Sequence, residues 1–429
     1  MKAMVIGLGP EYNYEINSHE DWAKDSTKYA SNHGASLISR TLIKLFNADF
    51  VNDFSKINQY QNEYDLCVIA FATHVTEKRD VSRYTKFVKD LNIKTIAFSL
   101  GIQDYSSTSN GITSLHPSLV ELLSYVIKSS EFIGVRGPHT ASTLLKEGFK
   151  QKNIIQIGCP TLFGPLNRNL KIVKNKSFEK PIVVYHRTMA SLNEKILSNV
   201  PILGQDFLDE VIFKKEVAND QPIKQMELIS YNNYKNGKLA LDQISKNGIF
   251  NNTFKEWFDI IGKYDFVLGA RLHGCIAALI QGIPAVMIAR DIRVQEIAEF
   301  YKIPYIKYED LGNKSIEDVY NEADFTQFNS LFKYRFDNFT KLMNDLKVLD
   351  YLTADLDVPE KYHYTIDDLN ANTEILYSEI KTISEESKKL EIRSLESLRK
   401  INRLNKKFDK LLENFKKIPG VMLLKKILK

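Results

Sequence analysis

The chain reads as α/β: two Rossmann-like domains followed by a long C-terminal helical tail. Three observations predict this. Strand–helix units recur in each half of the sequence. In both halves an apolar strand ends at an arginine just before a helix. From residue 369 onward, apolar residues keep a seven-residue register in a basic context. The 429 residues then divide into a first domain (1–165), a linker (166–180), a second domain with closing helices (181–350), a connector (351–368) and a basic tail (369–429).

In the first half, Ala3–Gly7, Leu66–Phe71, Thr95–Leu100, Phe132–Val135 and Ile154–Ile157 have the length and apolarity of buried strands. Gly34–Phe46, Val81–Leu91, Leu119–Lys128 and Thr140–Lys146 are the intervening helices, the last closed by Gly148. Leu166–Lys180 is a polar linker. In the second half, Ile182–Tyr185, Ile202–Phe207 and Ile223–Met226 continue the strands, and Asn252–Gly262 is a helix. Phe266–Leu268 is a buried strand, Gly274–Gln281 a helix ended by Gly282, and Ala285–Ala289 the next strand.

Composition excludes several classes. The hydrophobic content of 44% suits a soluble core, and no apolar run approaches a membrane span. Met1–Gly9 is too short for a signal peptide and fits the first strand better, so a cytoplasmic location is expected. Cys67, Cys159 and Cys275 lack metal-ligand spacing and sit in or beside apolar strands, which predicts buried thiols. In Gly7-Leu-Gly9-Pro10 the dinucleotide fingerprint fails, because Tyr12 stands where its third glycine belongs. Asp355-Leu-Asp357 falls in a polar connector and reads as a solvated turn, so no bound metal is expected.

Chemistry concentrates at two strand ends. Arg271, Leu272 and His273 lie between the strand at Phe266 and the helix at Gly274. In an open α/β sheet that is the carboxyl edge, where ligands bind. A helix start adds unpaired N–H groups, so cations there suit an anion. The bland alternative is an arginine paired with an acid and a histidine that caps the helix. Arg136, followed by Gly137 and Pro138 at a second helix start, repeats the design upstream. One anionic ligand in a cleft between the two domains accounts for both.

Arg271-Leu-His-Gly274 with Gly282-Ile-Pro284 resembles the polysaccharide pyruvyl transferase family. So do Gly134-Val-Arg136-Gly137, Ile157-Gly-Cys-Pro-Thr161, and the strand Pro181–Tyr185 ending in His186-Arg187. Arg290-Asp-Ile-Arg293 falls where the family often carries an aromatic residue and then a lysine. Asn32-His-Gly34-Ala35 is similar to the family's Asn-x-Gly-Asp turn, with Ala35 lacking the carboxylate.

The resemblance, over about residues 1 to 310, implies facing domains of the GT-B type. It also implies transfer of pyruvate from phosphoenolpyruvate to two sugar hydroxyls as a ketal, with no further cofactor. The acceptor is then a sugar or oligosaccharide of a cell-surface polysaccharide or its precursor, whether or not carried on a lipid. His273 and Arg271 become the expected catalytic pair. Arg136, Leu272, Arg187, Arg290, Arg293, Asn32 and Gly34 complete the expected substrate site. A GT-B glycosyltransferase using a nucleotide sugar, and a non-catalytic coiled-coil scaffold, are the alternatives.

In the tail, Leu369, Leu376, Ile383, Leu390, Leu404, Leu411 and Ile418 share one heptad position, interrupted around Ser387, Ser394 and Ser397. Residues 381 to 429 hold 15 Lys and Arg against 6 Asp and Glu, a net of +9 in a chain of +5, leaving the body at −4. Val421–Lys429 is short, amphipathic and basic. A homo-oligomer through this helix, with reversible contact to an anionic membrane surface at the inner face of the cytoplasmic membrane, is expected. Nucleic acid is not an expected partner, since the tail lacks interleaved aromatics or a recognised module.

Overall fold

The computed structural model describes residues 2–12, 29–30, 32–103, 114–192, 194–213, 222–251 and 253–347. The connector and the heptad tail expected from residue 351 onward lie outside these residues. In chain order the strands are β1 (Ala3–Gly7), β2 (Glu11–Tyr12), β3 (Tyr29–Ala30), β4 (Ala48–Phe50), β5 (Leu66–Ala70), β6 (Lys94–Phe98), β7 (Ile133–Val135) and β8 (Ile154–Gln156). The second half adds β9 (Pro181–Val184), β10 (Ile202–Leu203), β11 (Gly248–Ile249), β12 (Phe266–Gly269), β13 (Ala285–Ala289) and β14 (Tyr305–Lys307).

The first sheet runs β4-β1-β5-β6, all parallel. It continues through the pairing of Leu100 with Val135 to the β7-β8 pair. The second sheet runs β11-β10-β9-β12-β13-β14, also all parallel. Strands of this kind are buried on both faces, which explains why β5 and β13 are unbroken apolar runs. The strand order reverses between β1 and β5 in the first sheet and between β9 and β12 in the second. Those two switch points are where such sheets leave a crevice for ligands.

Two segments expected as strands are different. The chain leaves β10 at Leu203 because Asp206 accepts from the Asp209 backbone N–H at 2.8 Å and starts the helix Phe207–Phe213. Ile223 and Met226 lie inside the helix Pro222–Tyr231. Their i,i+3 spacing and the proline at the helix start are helical signals.

The expected linker is not solvated. Leu166, Leu170 and Ile172 are buried, and Arg168 makes a buried two-pronged ion pair with Asp337 at 2.5 and 2.8 Å. Lys174 Nζ donates to the carbonyls of Tyr320, Asn321 and Ala323, the end of the helix Ile316–Glu322. The helix Thr326–Asp345 then lays Phe332, Phe336 and Phe339 around Phe163, with the Phe163 and Phe339 rings stacked at 4.6 Å. This segment therefore ties the second half back onto the chain that leaves the first. Among the described residues, no helix is long and apolar enough to cross a membrane.

Candidate functional site

A cavity of about 230 Å³ lies between the carboxyl edges of the two sheets. Leu8 and Ala72–His74 reach it from the β1/β5 switch point, and Ala270–His273 follow β12 at the other. Arg136 enters after β7, Arg290 and Arg293 after β13, and Asn32 from the first half. The facing carboxyl edges are the arrangement expected of a GT-B-type body.

Three helix starts border the cavity. Asn32 caps His33–Leu45 by accepting from the Ala35 N–H at 2.9 Å. Leu272–Ile280 begins after Arg271 without a side-chain cap. Asp291 caps Ile292–Tyr301 by accepting from the Arg293 N–H at 3.1 Å. The lining includes five arginines, Arg79, Arg136, Arg271, Arg290 and Arg293, and among the described residues no carboxylate. The uncapped start of Leu272–Ile280 and the arginines around it favour an anionic ligand.

Arg271 differs from the expectation of an unpaired cation. Its guanidinium binds Asp206 and, at 2.9 Å, Asp209, while Nε donates to the Tyr185 carbonyl at 3.2 Å. Burial opposes its charge, but the two carboxylates outweigh that and hold its pKa above the ordinary value. Burial pushes Asp209 up to about 7, against the pull of Arg271. An isolated buried cation would be too costly, so the chain supplies acids from the turn after β10.

Arg136 is the opposite case. It is 3% exposed, its Nε donates to the Ser99 carbonyl at 3.1 Å, and its Nη2 has no partner. Burial lowers its pKa, although not enough to discharge a guanidinium. The helix start beside it, Pro138–Lys146, is not available to a ligand. Glu296, from the second half, accepts from the Thr140 N–H at 2.5 Å and from Thr140 Oγ1 at 2.8 Å. The anion expected at that helix start is thus a carboxylate of the chain itself. Glu296→Ala should lower unfolding free energy by about 1–3 kcal/mol, because it orphans two buried donors. Glu296→Gln should lose less, and urea unfolding of the two variants measures the difference.

His273 is buried, and burial followed by the Arg136 charge lowers its pKa to about 3. Its Nε2 lies 3.5 Å from the Cys159 Sγ, so the ring is held from the first half rather than capping its own helix. The imidazole is neutral at rest and offers one N–H and one lone pair.

The sequence matches the profile of polysaccharide pyruvyl transferase over residues 23–292, well over half of the chain. The chain belongs to the polysaccharide pyruvyl transferase family. No curated protein matches it significantly.

Solved structures similar to it are distant. A putative UDP-N-acetylglucosamine 2-epimerase from Listeria monocytogenes has 11% identity and a TM-score of 0.38, covering 81% of this chain and 96% of that one. The UDP-GlcNAc 2-epimerase of Methanocaldococcus jannaschii, in complex with UDP-GlcNAc and UDP, has 12% identity and a TM-score of 0.37, covering 80% and 100%. An uncharacterised protein of Klebsiella pneumoniae has 12% identity and a TM-score of 0.36, covering 71% and 92%. Similarity at this level carries no argument about function.

In this member of the family, the residues expected from sequence separate. Arg136, Arg271, Leu272, His273, Arg290, Arg293 and Asn32 share the cavity. Arg293 is bound to Asp291 through both Nε and Nη2, at 3.0 and 2.5 Å, and Arg290 lies 3.6 Å from the same carboxylate. Arg187 is not among the lining residues; it pairs with Glu227 at 3.1 Å. Gly34 does not line the cavity either. A Cβ there would stand 2.6 Å from His273 Nδ1 and 2.8 Å from its Cβ, so this glycine lets the first helix pack under the imidazole. Gly34→Ala should displace His273 and lower turnover by about 10²-fold, with circular dichroism unchanged. Normal turnover in that variant would show that the ring position is unimportant.

Sequence reasoning missed His74, Arg79, Asp206, Asp209 and Glu296. His74 stands four residues past β5 at a sheet carboxyl edge, the same signal that singled out Arg271. The acids carried no local signal, since their partners are 62 to 156 residues away in the chain.

Proposed function

We propose that this protein transfers pyruvate from phosphoenolpyruvate to two hydroxyls of a sugar, in a cell-surface polysaccharide or its precursor, closing a ketal and releasing phosphate. The observation that carries the reading is the arginine-lined cavity between facing sheets, without a carboxylate among its described lining residues, in a chain of the pyruvyl transferase family. The donor bears a carboxylate and a phosphate, and cationic groups from both halves suit one at each end.

The reaction balances with groups of this kind. The donor methylene gains a proton and becomes a methyl, and one acceptor hydroxyl adds to the neighbouring carbon. The bond from that carbon to the phosphate oxygen breaks, and the second hydroxyl closes the ring. Of the two hydroxyl protons, one balances the methyl and the other leaves with phosphate. Arg136 neutralises charge that builds on the leaving group. His273 donates its N–H to an anionic oxygen, and the bound anion offsets the Arg136 charge that depresses its pKa. Arg271, tied to Asp206 and Asp209, positions the start of the helix that carries His273.

Incubating the full chain with phosphoenolpyruvate and sugar acceptors should release phosphate only when acceptor is present, and add one pyruvate ketal to the acceptor by mass spectrometry. Thermal stabilisation by nucleotide sugars alone, with none from phosphoenolpyruvate, would replace this reading by a glycosyltransferase. Stabilisation by neither would favour a scaffold.

A further inference from the structure

The first half contributes two cavity residues that the family resemblance did not point to, His74 and Arg79. They belong to the loop that leaves β5 at the switch point. Its backbone is pinned: the Val75 N–H donates to the Gly101 carbonyl at 3.1 Å, and the Thr76 carbonyl accepts from the His116 N–H at 3.1 Å. The His74 ring stacks on Phe71 at 3.9 Å with only 6° between planes. Its position is therefore set before any ligand arrives.

Hydrogen-bond chemistry then fixes the tautomer. His74 Nε2 lies 3.3 Å from an Arg79 Nη1, and a guanidinium can only donate. Nε2 must accept, which places the ring proton on Nδ1. Burial, then the charges of Arg79 and Arg136, keep the second proton off. His74 is 6% exposed and its Nδ1 has no partner. The cavity thus holds a buried donor with nothing to donate to, beside the unpartnered Nη2 of Arg136.

Charge is distributed unequally between the two walls. On the second half, Arg271 has Asp206 and Asp209, while Arg290 and Arg293 share Asp291. On the first half, neither Arg79 nor Arg136 pairs with a carboxylate among the described residues. The surplus of positive charge lies at the first wall. We propose that His74, Arg79 and Arg136 form a phosphate subsite, which takes the dianionic end of a phosphate monoester and leaves the donor carboxylate to the second wall. For phosphoenolpyruvate as that monoester, the inference rests on the function proposed above; for phosphate itself it does not.

The test uses three probes on the full chain: inorganic phosphate, pyruvate and phosphoenolpyruvate. Arg79→Ala and His74→Gln should each weaken binding of phosphate and of phosphoenolpyruvate by about tenfold or more, leaving pyruvate unaffected. Arg79 is exposed, so its removal does not open a core. His74→Asn should be milder than His74→Gln, because the asparagine amide reproduces the Nδ1 donor and glutamine the Nε2 position. Equal weakening of phosphate and pyruvate, or no weakening in Arg79→Ala, overturns the subsite. If wild type binds inorganic phosphate through these residues but ignores phosphoenolpyruvate, the subsite stands and the pyruvyl-donor reading fails. If phosphoenolpyruvate binds and the variants do not matter, the subsite fails and that reading stands. Wild type that binds neither overturns both.

Discussion

Replacing Arg136 by methionine should reduce pyruvyl transfer by on the order of 10²- to 10³-fold while leaving thermal stability unchanged or raising it. The two halves of this expectation have one cause. The guanidinium is buried, its Nε is held by the carbonyl and hydroxyl of Ser99, and its Nη2 has no partner. Gly101 makes room for it, since a Cβ there would lie 2.7 Å from the arginine Cδ. Ser99 itself adopts a left-handed φ of 62°. The fold thus accommodates a desolvated charge and local strain that packing alone does not require. Methionine removes the charge and fills much of the space. Loss of both activity and stability would mean instead that Arg136 is a structural group.

Acid should destabilise this protein well before its exposed carboxylates protonate. His33, His74, His186 and His273 are buried. Burial lowers the pKa of each, to about 4 for His33 and about 3 for His273, and well below the ordinary value for His74 and His186. The unfolded chain binds protons at these residues near pH 6.5, whereas the folded chain does not. Their contribution is therefore complete above about pH 6.5 and is lost progressively as pH falls toward the folded values. Each histidine can remove up to about 1.4 kcal/mol per pH unit within that window. Asp209, raised to about 7, and Glu296, raised by burial, act in the opposite direction as pH falls, but are fewer. Urea unfolding at pH 7 and pH 5.5 should show a clear loss at the lower value. Equal stability at both would mean that the histidines are already hydrated or paired.

The central strands of both sheets and the cavity residues that follow them were legible in the sequence because their signals are local, whereas the short edge strands β4, β11 and β14 were not. Buried parallel strands are short apolar runs, and Arg136, Arg271 and His273 stand where such runs meet helix starts. What could not be read was who occupies each cation. Arg271 and Arg136 have the same local sequence design, yet one is neutralised by Asp206 and Asp209 and the other faces the cavity without a carboxylate. Glu296 shows the same limit, since it fills a helix start that follows β7 from a helix that follows β13. Pairing across the cleft depends on how the halves meet, and no spacing within one segment encodes that. Likewise the polar stretch from residue 166 looked solvated until Arg168, Lys174 and their partners were seen together.

A single anionic donor should bridge the two walls of this cavity. A crystal structure of the full chain with phosphoenolpyruvate would show it. One molecule is expected, with its phosphate within hydrogen-bond distance of Arg136 and His74 and its carboxylate toward Arg290 and Arg293. Phosphoenolpyruvate bound outside the cavity, or touching residues of one half only, would contradict it.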